Sequence, residues 1–179
     1  LGQDGMMKAF AQASGSQMVI WQAQPGQKGR GQRIAIDNTF GFGNATYKKP
    51  LNEKWLAEGG VSMSINEDDI EVDSNAYQTS ANLFHLKQKF THYFTEAFKL
   101  KTGCEMFVQG YSSTDKSIDA TLNYQDFRPA IFAEAEWFAS AGLSIRGGLR
   151  GSYAEENNAY ELEPRIAAAY RPYKNGIVS

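Results

Sequence analysis

Apolar and polar residues alternate with a period of two along most of the chain, most clearly from Phe84 to Arg171. The clearest unit is Ile131-Phe-Ala-Glu-Ala-Glu-Trp-Phe138, a short turn at Ser140-Ala-Gly142, then Leu143-Ser-Ile-Arg-Gly-Gly-Leu-Arg-Gly-Ser-Tyr153. One face of that hairpin carries Ala133, Ala135, Trp137, Ile145 and Leu149. The other carries Glu134, Glu136, Arg146 and Arg150. The pattern predicts eight strands, at approximately 6–21, 32–46, 56–67, 82–94, 98–111, 128–138, 143–154 and 160–171. Most reach the ~9–11 residues that a tilted strand needs to cross a bilayer.

The predicted connections alternate in kind. Lys48 to Lys54, Thr95 to Ala97, Ser140 to Gly142 and Pro172 to Gly176 are short. Pro25 to Gly31, Glu67 to Ala81, Ser112 to Phe127 and Ala154 to Ala159 are longer or more polar. Short turns at one end and long loops at the other mark an antiparallel, up-and-down transmembrane β-barrel. Alternation alone also fits a soluble barrel with the faces inverted. Loop asymmetry, crossing length and aromatics near strand ends (Tyr93, Phe94, Trp137, Phe138, Tyr153, Tyr170) favour the membrane version.

Hairpin geometry predicts facing. With Ser140–Gly142 as a three-residue loop, Ala139 pairs with Leu143, Trp137 with Ile145 and Glu136 with Arg146. The next hairpin pairs Tyr153 with Tyr160, Leu149 with Pro164 or a neighbour, and Arg150 with Glu163. A lumen-facing ladder of Glu134, Glu136, Arg146, Arg150, Glu163 and Arg165 follows, with Lys87, Lys89, Lys101 and Glu105 on the equivalent face of the earlier hairpin. Gln88 and His92 fall on the lipid face. Pro164 removes a ladder donor inside a strand, so an irregularity is expected there.

Composition narrows the function. Apolar residues make up 42% of the 179-residue chain, enough for one folded domain, and no apolar run reaches the ~20 residues of a membrane helix. A formal net charge of −2 with mixed signs argues against a nucleic-acid partner. The single cysteine, Cys104, excludes an internal disulfide. His85 and His92 lie on opposite faces of one strand and cannot share a metal. Asn66-Glu-Asp-Asp-Ile-Glu-Val-Asp73 lacks calcium-loop spacing, and Gly26-Gln-Lys-Gly-Arg-Gly31 lacks the Gly-Lys-Ser/Thr of a phosphate loop. Glu134 and Glu136 are a carboxylate pair, but Arg146 beside them suits a wall better than a general acid. Neither an enzyme nor a cofactor is indicated. The charged ladder is read first as structural and second as a recognition surface for a polar or anionic solute.

Several segments resemble barrel strands of TonB-dependent outer-membrane receptors. They are Asn82-Leu-Phe-His-Leu-Lys-Gln-Lys-Phe-Thr-His-Tyr-Phe94, Phe98-Lys-Leu-Lys-Thr-Gly-Cys-Glu-Met-Phe107, Ala133-Glu-Ala-Glu-Trp-Phe138, Leu143 to Tyr153, and Leu162-Glu-Pro-Arg-Ile-Ala-Ala-Ala-Tyr-Arg-Pro172. The resemblance covers about residues 32–179 and implies a 22-stranded barrel with a plug in its lumen. Residues 1–179 would then be wall alone, with both ends cut, no plug domain and no closing strand. It further implies surrounding outer-membrane lipid and lipopolysaccharide, a TonB complex engaged through other parts of the parent protein, and a surface lipoprotein partner. The implied function is uptake of a nutrient such as a metal chelate, glycan, peptide or vitamin. A self-contained eight-stranded outer-membrane barrel with a structural or adhesion role stands beside it, and a soluble ligand-binding barrel is third.

Overall fold

In the computed structural model the described residues are 5–23, 31–173 and 176–178. They form one antiparallel sheet of nine strands in sequence order: β1 (Met6–Ala23), β2 (Gly31–Pro50), β3 (Trp55–Val72), β4 (Asn75–Tyr93), β5 (Phe98–Asp115), β6 (Ala120–Ser140), β7 (Leu143–Ala154), β8 (Ala159–Tyr173) and β9 (Gly176–Val178). Every connection is a neighbouring hairpin, and β9 adds a short strand to the eight expected. Among the described residues β1 pairs only with β2, so the sheet is open. It is a single layer, and no large side chain of the described residues is fully buried.

The main departure from expectation lies at the polar end. Glu67 to Ala81 and Ser112 to Phe127 are not long loops: β3 runs to Val72 and β4 starts at Asn75, while β5 runs to Asp115 and β6 starts at Ala120. Polarity suggested loops because a half-buried strand needs one apolar face. A strand that continues past the membrane has water on both faces and needs none. The 18 residues of β3 span ~60 Å along the strand. Tilted by ~40°, that exceeds a hydrocarbon core of ~30 Å. The 12 residues of β7 are close to the minimum for crossing. The Pro25–Gly31 loop lies outside the described residues except for Gly31, which opens β2.

Turns at the two ends use different devices. At the polar end Asp73, Asp119 and Asn158 take φ values of 55°, 53° and 52°. Asp and Asn tolerate this left-handed position better than other residues with a side chain. Asp73 also clasps the neighbouring strand: Arg33 N donates to its carboxylate at 2.9 Å, and its own N–H donates to Arg33 O at 2.9 Å. At the other end Asn52 accepts the N–H groups of Lys54 and Trp55, each at 2.9 Å, and closes the Leu51–Lys54 turn.

Register matches the expected pairs Trp137 with Ile145, Glu136 with Arg146, Arg150 with Glu163, Leu149 with Pro164 and Tyr153 with Tyr160. The tight turn differs: Ser140, not Ala139, pairs with Leu143, and Ala139 is bulged out. Pro164 causes no irregularity, because the β7–β8 ladder is continuous through it. Arg171 N donates to Gly142 O, so odd-numbered β8 residues bond towards β7. Pro164 therefore points its missing donor at the other edge, where a proline is tolerated.

Candidate functional site

Over a defined height β3 to β8 present one apolar and one charged face. On the apolar face the alternate residues Trp55 to Ile65, Phe84 to Phe94, Phe98 to Val108 and Phe127 to Trp137 are almost all apolar. Beyond them the same face turns polar together on four strands, at Glu67, Asn82, Gly110 and Gln125, and stays so to the hairpin tips. Aromatics mark the lower border: Tyr47, Trp55, Phe94, Trp137 and Tyr170 are all exposed there.

Two polar exceptions on this face, Gln88 and His92, contact aromatic side chains. The Tyr47 hydroxyl bonds the Gln88 amide oxygen. Gly59 lies beneath that contact, where an added Cβ would meet both side chains at 2.6 Å. His92 sits between Trp55 and Phe94, with ring centroids 4.4 and 4.3 Å away. Cys104 faces the same way and is exposed, paired with Gln88 on one side and Ile131 on the other.

The charged face holds the ladder read from the sequence, and it is wider than expected. Arg150 bonds Glu163 and reaches Glu105 at 2.8 Å, and Arg165 bonds Glu163 at 2.6 Å. Arg146 lies 3.4 Å from Glu134 and 3.6 Å from Glu136. The closer partners of these two carboxylates come from β5: Lys101 at 3.0 Å from Glu134 and 3.1 Å from Glu136, and Lys99 at 3.1 Å from Glu136. Across β4, Lys87 lies 3.0 Å from Glu105, and Lys89 lies 2.8 Å from Glu58, which Lys48 approaches at 3.7 Å. Glu58, Lys48 and Lys99 were the members sequence reasoning missed. The signal was available in the alternation of β3, where Glu58 occupies the same parity as Ser62 and Ser64.

Five carboxylates are thus shared among eight cations. His85 stacks on Phe107 with a centroid distance of 4.0 Å and approaches Glu105 at 4.0 Å. The Phe132 ring covers Gly103 and carries Lys87 Nζ at 5.1 Å from its centroid. Exposed pairs such as Arg165–Glu163 add little stability, ~0–1 kcal/mol, whereas those around Glu105 and Glu136 are part-buried.

Above the apolar height the face becomes a mixed polar wall. Asp68 accepts Asn38 at 2.6 Å and Asn66 at 2.8 Å. The Tyr124 hydroxyl donates to Glu156 at 2.8 Å, and its hydrogen bond to that carboxylate raises the phenol above its ordinary pKa. Among the described residues no group of three or more His, Cys, Asp or Glu is arranged to hold a metal ion.

No protein-family model matches the chain, and no curated protein sequence does. Solved structures do. The RagAB peptide importer in its open-open state aligns with a TM-score of 0.55 and 11% identity, covering 80% of this chain and 20% of that one. A second structure, of the RagAB peptide transporter, gives 0.52 and 10% identity over 80% of this chain and 21% of that one. The translocator domain of autotransporter NalP from Neisseria meningitidis gives 0.45 at 10% identity, covering 96% and 72%. The chain spans about a fifth of the RagAB chains it matches. The fold is an antiparallel, up-and-down outer-membrane β-barrel wall, a kind that resides in the outer membrane of Gram-negative bacteria.

Proposed function

We propose that the chain is a stretch of wall from a large, plugged outer-membrane barrel that imports a nutrient with energy delivered through TonB. Its apolar face meets lipid and its charged face lines the bore. The carrying observation is the open edge: eight long strands in unbroken order leave β1 without a second partner among the described residues. An eight-stranded barrel would close on itself. The RagAB alignment supports the same reading, since it covers most of this chain and a fifth of that importer. RagAB is named for peptides, which makes peptides one substrate class to test beside metal chelates, glycans and vitamins. The plug, the TonB contact and a surface lipoprotein belong to the parent protein in this reading.

Cysteine cross-linking tests it. In a Cys104→Ser background, cysteine pairs are scanned along β1 and β8, with Ala11 and Ala168 among the positions. A disulfide needs Cα atoms within ~7 Å. A large barrel gives no intramolecular bond at any register. A ladder of bonded pairs would mean a closed eight-stranded barrel and would sink the importer reading. Uptake by the intact protein should also stop when the proton-motive force is collapsed.

A further inference from the structure

At the centre of the charged face lies a depression of about 250 Å³, bordered by Lys87, Lys89, Lys101, Arg150 and Arg165. Its floor exists because two positions carry no side chain. Gly103 is covered by the flat Phe132 ring, and Gly148 leaves a gap between its register partners Glu134 and Arg165. A Cβ at Gly148 would crowd Ala133 O at 3.2 Å and Glu134 Cβ at 3.4 Å. Cations therefore stand around a space that no side chain fills.

Their carboxylate partners do not neutralise them. Glu105 and Glu134 border the depression itself, and in the ion-pair network around it five carboxylates serve eight cations. Lysine has three donors and arginine five, so the cations keep unused N–H groups after these contacts. Lys87 spends one position on Glu105 and Lys89 one on Glu58. Among the described residues Arg165 forms its one ion pair with Glu163, and its side chain is 65% exposed. Positive charge concentrated in a concavity with low-dielectric walls focuses the field and raises the local concentration of anions. The chain as a whole carries −2, so this excess is local and opposite in sign.

We propose that this depression binds a small solute bearing several anionic oxygens, carboxylate or phosphate. Arg165, which donates to Glu163 from Nη2 alone, keeps donors for a planar or tetrahedral oxyanion, while Arg150, held by Glu105 and Glu163, and the lysines add charge around it. The volume suits a small solute or the charged end of a larger one. The inference rests on the charged face lining the bore, and it names the class of solute that bore would favour.

The test uses the intact protein in detergent at low ionic strength, titrated with inorganic pyrophosphate and with citrate, glucose serving as the neutral control. Both anions bind saturably and glucose does not. Affinity falls at least tenfold in Arg165→Gln/Lys87→Gln and at 0.2 M salt, and is unchanged in Lys54→Gln. Unshifted unfolding temperatures show that each variant is folded. Absence of saturable binding to the wild type, or equal affinity in the double variant, overturns the site. A sulfonated maleimide separates this from the bore itself, using Arg165→Cys in the Cys104→Ser background within sealed membranes. Labelling without anion binding removes the site and keeps the bore; no labelling removes both.

Discussion

Arginine placed at Ile131 measures whether the apolar height of the sheet is a membrane height. Ile131 is 70% exposed on the apolar face. It lies between Trp137 at the lower border and Phe127 at the upper one. At ~3.4 Å per residue and a tilt of ~40°, Trp137 stands ~16 Å below it and Phe127 ~10 Å above. The sum, ~26 Å, matches the ~25 Å apolar band of outer-membrane barrels. Ile131→Arg therefore sits near the midplane and should cost ~2–4 kcal/mol, about 30- to 700-fold in the folding equilibrium. Asn123→Arg, on the same face but ~10 Å beyond Phe127, should cost ~0–1 kcal/mol. Ala135→Arg, one step from the aromatic border, should fall between them. The assay is denaturant-dependent folding of the intact protein into phospholipid vesicles, repeated in lipid with shorter chains. A thinner bilayer should lower the Ile131→Arg cost and leave Asn123→Arg alone. Equal costs at both positions, or an Ile131→Arg cost indifferent to lipid length, would refute the membrane assignment of this face.

Tyr47→Phe leaves the Gln88 amide without its partner on the apolar face, a loss of ~1–3 kcal/mol in vesicle folding, and Gln88→Leu added to it should restore most of that. Cys104 should react with a hydrophobic maleimide in membranes and resist a sulfonated one; fast labelling by the sulfonated reagent would place this face in water. Glu156→Gln should bring the Tyr124 phenol back down towards its ordinary pKa, read as the change in ultraviolet titration that Tyr124→Phe abolishes. No change between wild type and Glu156→Gln would mean that the 2.8 Å bond is not formed in solution.

Within the bilayer height the sequence was nearly transparent, because lipid on one side and water on the other enforce strict alternation. Register through Glu136–Arg146 and Arg150–Glu163 followed from the turn alone. The bulge at Ala139 did not, since two- and three-residue turns place the same residues on the same faces beyond it. Beyond that height the selection for alternation lapses, and strands such as 66–72 read as loop. Pro164 was misjudged for a related reason: a ladder has two edges, and sequence parity does not reveal which edge a missing donor faces. The charged ladder was legible on β6 to β8, where acids and bases follow closely. Its extension through Lys99, Lys48 and Glu58 is visible as parity, but who pairs with whom there needs the register of three further strand pairs.

The strands that continue above the apolar height give this wall a stiff collar in place of a fringe. From Asn38–Asp68 to the Asp73 clasp, neighbouring strands remain hydrogen-bonded up to the tips. A visitor arriving from solution would meet side chains already held in position. Little conformational freedom would then be lost on contact. In the proposed importer the corollary would be a narrow repertoire, with shape preset by the strands and adaptability left to turns such as Asp73–Ser74 and Lys116–Asp119.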